Sequence, residues 1–294
     1  MPTPTDTAAA DHAPRIDADE AFAAAWKDWR AAHERHRADP HGFLAVTHLH
    51  WLDDVPARLD GAPGTWSVED DVVRLVLGAG DRVLRDGQDL NPDGTGTSVA
   101  LGPIAEREGL SLRVPDAGAG HTVIEVAKRG GRYVVRPRHP LNPLLARYRG
   151  TPAYAPNPGY AVSGTFAAFT EPRATTVGAA VEGIQHIYEA PGEIRFHLHG
   201  QDLSLTAFNG HNPGTLTVLF TDATSGKTTY AANRSLTVPA PDADGTVLLD
   251  FNRAVNLPCA YTDLATCPLP PAENRLPVAV EAGEQIPYER QDAS

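Results

Sequence analysis

The densest chemistry in this chain lies near its C-terminal end. Asp250-Phe251-Asn252-Arg253 closes an apolar run, and Asn256, Tyr261 and Glu284 follow. Upstream, Asp222, Tyr230 and Arg234 form a second polar group. A carboxylate, guanidiniums and carboxamides at this density can satisfy the backbone of an irregular loop laid against the end of a sheet. They can equally line a cleft for an anionic or polyhydroxylated small molecule. In that cleft Arg234 and Arg253 hold the anion, Asp250 orients Arg253, and Asn252, Asn256, Tyr230 and Tyr261 supply directed hydrogen bonds. The same cleft suits hydrolytic or metal-assisted chemistry with Asp250 or Glu284 as general base. A third reading has these residues fold the loop, with the protein working through a partner surface.

Cys259 and Cys267 are the chain's two cysteines. Two thiols do not complete a structural zinc site. The readings left are reduced buried thiols, a disulfide stapling the loop, and a metal or nucleophilic role; a reducing compartment counts against the disulfide. His48-Leu49-His50 and His197-Leu198-His199 place imidazoles two residues apart, on one strand face if each run is extended, with His211 as an available third ligand. No glycine-rich phosphate loop, dinucleotide fingerprint or Gly-x-Ser-x-Gly elbow occurs, so no cofactor is indicated.

The elements that must position these groups are mainly strands. Phe22, Trp26, Trp29 and His33 recur at helical spacing after Asp17 and Glu20, which predicts one N-terminal amphipathic helix over 17–40, its Trp stripe against a sheet edge. Its polar face carries Lys27, Arg30, Glu34, Arg35 and Arg37. From His41 the period shifts to two, and 26 Gly and 26 Pro punctuate short candidate strands. The early ones are Phe43–Trp51, Thr65–Val68, Val72–Leu77, Arg82–Leu84, Leu110–Val114 and a hairpin 122–136 turning at Gly130-Gly131. The later ones are Tyr160–Phe169, Thr175–Val181, Gln185–Glu189, Glu193–His199, Leu203–Phe208, Leu216–Thr221, Thr228–Ala232, Leu236–Val238 and Thr246–Phe251. The expected architecture is mainly β: two consecutive antiparallel sandwich or barrel-like units, at 41–138 and 139–287, preceded by a disordered tail (1–16) and the helix. The stretch from Asn252 to Leu276 has no period, and long irregular loops in compact domains often carry function.

Read in order, Asp222-Ala223-Thr224-Ser225-Gly226, Asn233-Arg234, Leu249-Asp250-Phe251-Asn252-Arg253, Pro258-Cys259-Ala260-Tyr261, Cys267-Pro268, Glu273-Asn274-Arg275-Leu276 and Gly283-Glu284 resemble the bacterial and archaeal domain-of-unknown-function family DUF1684. The resemblance is specific over about 220–284 and weaker back to Leu49-His50-Trp51. The chain departs from the family's pattern at Val255 and Leu257, which puts an aromatic stacking role at 255 in doubt. The resemblance implies a mainly β fold and supplies no activity.

Composition narrows the partners. The formal charge is −12, from 25 basic and 37 acidic residues, with no basic run interleaved with aromatics, which argues against nucleic acid. No stretch reaches the roughly 20 apolar residues of a membrane span. The N-terminus lacks the basic and apolar regions of a signal peptide, so the expected location is the cytoplasm.

Overall fold

The computed structural model describes residues 13–116 and 120–291, with side chains described from residue 18. The expected tail falls largely outside the described residues. Helix α1 runs Ala13–Arg37, starting before the expected cap at Asp17.

The N-terminal unit contains β1 (His50–Trp51), β2 (Ala57–Leu59), β3 (Ala62–Glu69), β4 (Val72–Leu77), β5 (Leu84–Arg85), β6 (Gln88–Asp89), β7 (Thr97–Leu101), β8 (Gly109–Pro115), β9 (His121–Arg129) and β10 (Arg132–Arg138). They form a six-stranded sheet, β1-β10-β9-β8-β5-β6, and a four-stranded sheet, β2-β3-β4-β7. Alternation along the strands sends Trp66, Val73 and Leu75 from one sheet, and Leu112, Ile124, Val126 and Val135 from the other, into one buried core.

A short helix, α2 (Pro143–Arg147), leads to the second unit: β11 (Ala161–Gly178), β12 (Gln185–Leu198), β13 (Gln201–Asn209), β14 (Leu216–Phe220), β15 (Arg234–Val238) and β16 (Thr246–Asp250). Their order is β15-β14-β13-β12-β11-β16. The sheet curls until β15 and β16 approach each other, and Ser235 pairs with Val255 just past β16, so the unit is barrel-like.

Several expected elements change for physical reasons. Phe43–Trp51 is not one strand: Phe43–Ala45 forms a 3-10 turn that buries Leu44 against Ala260 and Tyr261. The strands expected on either side of Pro172 and of Pro191 are continuous. The register shift between Ala168 and Arg173 absorbs both prolines at a bulge, where a missing N–H costs nothing. Thr228–Ala232 is a compact turn, closed by Gly226 N–H donating to Thr229 O (2.9 Å) and by the paired hydroxyls of Thr224 and Thr229 (2.8 Å).

Beyond Asn252 the chain is irregular but packed. Leu276, Val278, Val280 and Ala282 alternate inward and enter the barrel core beside Phe251 and Phe220. This extended segment plugs one end of the barrel. Among the described residues no helix is long and apolar enough to cross a membrane.

Candidate functional site

The plug segment pairs by main chain with 221–223 at its start and with 152–154 at its end, but between them its backbone relies on side-chain partners. Arg234, at the start of β15 and 1% exposed, supplies most of them. Its guanidinium donates to the carbonyls of Val280 (3.0 Å), Ala282 and Glu284 (3.5 Å). Asp222 accepts from the amide of Val280 at 2.6 Å and stands 3.5 Å from Arg234. The hydroxyls of Thr224 and Ser225 bond Asp222 in turn. Ahead of the plug, Asn274 ties the segment to the barrel wall, donating to Thr206 O and Leu219 O and accepting from the Thr206 amide. These side chains are sealed in the interior. Burial holds Arg234 below the ordinary arginine range, an effect that Asp222 opposes. The cleft expected between residues 222–234 and 250–284 is therefore closed at Arg234.

The plug ends on Glu284, 1% exposed, which faces helix α1. Arg37 lies 2.7 Å from Oε1 and donates to Oε2 at 3.0 Å. Arg30 also donates to Oε1, the amide of Asn256 donates to Oε2 at 2.6 Å, and Tyr261 reaches the same oxygen at 3.4 Å. Thr151 joins Arg37 (2.6 Å) to Tyr261 (2.7 Å), while Tyr148 donates to Glu34. Burial alone pushes the Glu284 carboxyl up, yet Arg37, Arg30 and the Asn256 amide hold it below its usual range. Burial beside Glu284 pushes the Tyr261 phenol well up.

His33 sits at the rim of this cluster. Its Nε2 accepts from Arg37 at 2.5 Å and lies 3.6 Å from Glu284. Burial, then the positive charge of Arg37, lowers its pKa to about 4, so it is neutral at pH 7.

Outside that rim lies a cavity of about 360 Å³ whose walls include Trp29, His33, Pro239, Val255 and Arg253. Trp29 stacks on His33 at 5.3 Å, and the Arg253 guanidinium lies over the Trp29 ring at 5.5 Å. Arg253 is tied by its Nε to Asp250 at 3.1 Å and is 44% exposed. Asp250 caps the following 3-10 turn and also accepts from the Asn252 side chain at 2.9 Å. Asn252 pins Asn157 in both directions, at 2.8 and 2.9 Å, and its carbonyl accepts from Trp26 at 2.8 Å. Asn256 donates to Gln285 O at 2.7 Å.

The candidate residues thus divide. Arg253 reaches open space, and Asp250 orients it. Arg234, Glu284, Asn252, Asn256 and Tyr261 hold the chain to itself. Tyr230 donates to Cys259 O at 2.8 Å beside a smaller cavity of about 190 Å³. Sequence reasoning missed Arg30, His33, Glu34 and Arg37 as site residues, treating the charged ones as a solvated face. Their spacing of three and four was visible, but the buried carboxylate that draws them inward lies far along the chain.

Both cysteines are free and buried, with the amide of Cys259 donating to Cys267 Sγ at 3.3 Å. The neighbouring Cys259 side chain, together with burial, pushes the Cys267 thiol well up against the opposing effect of the amide bond, so it stays protonated at neutral pH. The histidine pairs do not make one site. His197 bonds Asp202 at 2.9 Å, whereas β12 ends at Leu198 and His199 turns away at φ +50°, against the edge of Tyr160. His48 and His50 stack at 5.4 Å in the other unit, bonded to Thr47 and Asp60 O. Among the described residues no three His, Cys, Asp or Glu side chains gather as a metal site.

Residues 146–285 match the family described as protein of unknown function DUF1684. A solution NMR structure of an uncharacterized protein from Haloarcula marismortui is 32% identical over 48% of this chain and 78% of its own, with a TM-score of 0.41. No curated protein matches the chain. The matched stretch holds the whole barrel, its plug and the Arg234 and Glu284 locks, and the chain belongs to the DUF1684 family.

Proposed function

We propose that the protein binds a small anionic molecule with a flat or apolar body in the cavity between α1 and the edge of the barrel. The observation that carries this reading is Arg253: a half-exposed guanidinium, held in orientation by Asp250 and stacked over Trp29, at the wall of a cavity of about 360 Å³. A planar, pre-oriented fork suits bidentate capture of a carboxylate. Trp29, Pro239 and Val255 offer the apolar contact that most small-ligand sites use. Neutral His33 adds a ring nitrogen at the floor.

Binding fits better than catalysis. Glu284 is held ionised by two arginines, with its oxygens engaged by Arg30, Arg37 and Asn256, which suits a structural anion more than a base. Asp250 is occupied by Asn252 and Arg253. The two free thiols are at home in the reducing cytoplasm, where we place the protein.

Benzoate serves as the probe. Calorimetric titration, with Trp29 emission as a second signal, is expected to show saturable binding that weakens at least tenfold in Arg253→Lys and vanishes in Arg253→Gln. Equal binding by Arg253→Gln, or no binding of benzoate at millimolar concentration to the folded wild type, overturns the reading.

A further inference from the structure

A second cavity, of about 210 Å³, lies where the N-terminal sheet meets the loop that follows the barrel. Its floor is the outer face of the β9–β10 hairpin. The antiparallel register sets Arg136 opposite Glu125, and Arg138 lies two residues on along the same face. Arg129, four residues after Glu125, joins them. All three arginines line the cavity, with Phe43 and Val46 as an apolar side and Thr262, Thr266 and Cys267 on the roof.

The charges there do not balance. Glu125 is the carboxylate the three guanidiniums share: Arg136 donates to it at 3.0 and 2.6 Å, Arg138 donates to its Oε2, and Arg129 lies 3.5 Å away. Three cations share this one ion-pair partner. This occurs in a chain whose formal charge is −12, so acidic residues were abundant to neutralise it. Glu106 has its oxygens held by the amides of Gly130 and Gly131 at 2.7 and 2.9 Å, yet its charge still acts on Arg129, so a net excess of one cation remains. Arg138 also keeps its Nε buried with no partner. Partly buried cations in excess and an orphaned donor cost free energy unless an anion completes them.

We propose that this cavity binds a small phosphate monoester, held by Arg129, Arg136 and Arg138. A monoester carries between one and two negative charges at neutral pH, which covers this excess. Guanidinium forks match its oxygens, and the threonines above add hydroxyl donors. A volume below that of most drug-sized pockets restricts the organic part to a few carbons, lying against Phe43 and Val46. The arginines come from strands ahead of the family-matched residues 146–285, and the roof comes from within them. The site therefore exists only where the two units meet. It does not depend on the cavity at Arg253.

Glycerol 3-phosphate is the test ligand, titrated into the full chain by calorimetry at an ionic strength matched with sodium chloride. The wild type is expected to bind it saturably, Arg138→Gln to bind it at least tenfold more weakly, and Arg253→Gln to bind it unchanged. Arg129→Gln, at the end of β9, repeats the test should Arg138→Gln fail to fold. No binding by folded wild type, unchanged binding by the folded arginine variants, or loss in Arg253→Gln overturns the proposal. Inorganic phosphate binding as tightly as the ester also overturns it, assigning the cavity to the free ion.

Discussion

Arg37, in the last turn of α1, and Glu284, 247 positions later, form a buried two-point ion pair at 2.7 and 3.0 Å. Both side chains are at least 98% removed from solvent. A helix that precedes the family-matched region is thereby fastened to the last residue of the barrel's plug. With Arg30, Tyr261 and the Asn256 amide it encloses the carboxylate from several sides, so the helix is part of the barrel unit's structure.

Glu284→Gln removes the charge but keeps the size. Arg37 and Arg30 then face a neutral amide in a site closed to water, and breaking one side of a buried pair costs on the order of 3–5 kcal/mol. The denaturant midpoint is expected to fall accordingly. A loss under about 1 kcal/mol, the range of an exposed pair, would show that the cluster is hydrated in solution.

Acid should destabilise the fold early, through His33. Its folded pKa, about 4, lies below the ordinary 6.5, so between those values the unfolded chain takes up a proton that the folded chain refuses. Stability contributed by neutral His33 is therefore complete above pH 6.5 and drains away as pH falls toward 4. Glu284, whose carboxyl is also lowered, adds loss at still lower pH. Replacing His33 by Asn should flatten the stability curve between pH 6.5 and 4. An unchanged slope in His33→Asn sinks this assignment.

The parts of this architecture readable in the sequence were those with a period. The Trp26–Trp29 stripe gives α1, the alternation in β9 and β10 gives their hairpin with its Gly130-Gly131 turn, and inward residues along β12 to β16 give a barrel wall. Prolines misled at 172 and 191, because a bulge can house what a regular ladder cannot. The polar signature marked both Arg234 and Arg253, yet it could not separate Arg234, satisfied by carbonyls, from Arg253, turned to a cavity. That distinction depends on where the extended segment 276–284 runs, and a segment paired only by isolated bridges at its two ends leaves only a faint alternation at Leu276, Val278, Val280 and Ala282.

Gly283 tests how tightly the plug is seated. It holds φ +75°, and a Cβ there would stand 2.5 Å from Ala254 O and 2.8 Å from Phe251 O. Gly131 has the same φ with nothing within 4 Å of its would-be Cβ, which makes it a matched control. Both changes to Ala carry the left-handed backbone cost of about 1–2 kcal/mol. Gly283→Ala should add a clash and displace Glu284, lowering the melting midpoint clearly more than Gly131→Ala. Equal shifts would mean that the segment can move aside.

The thiols offer a last and independent check. Cys259 and Cys267 are 3% and 7% exposed, and the Cys267 sulfur accepts the buried Cys259 amide at 3.3 Å. Protein never exposed to reductant should therefore yield two labelled thiols once denatured, and almost none while folded. No labelling before reduction would replace this pair with a disulfide. Given free thiols, Cys267→Ser retains an acceptor for the amide, whereas Cys267→Val leaves it unsatisfied. A buried N–H without a partner costs about 1–3 kcal/mol, so valine, though the better apolar match, should destabilise more than serine. The reverse order would mean that packing of the sulfur, and not its hydrogen bond, holds the 259–267 loop in place.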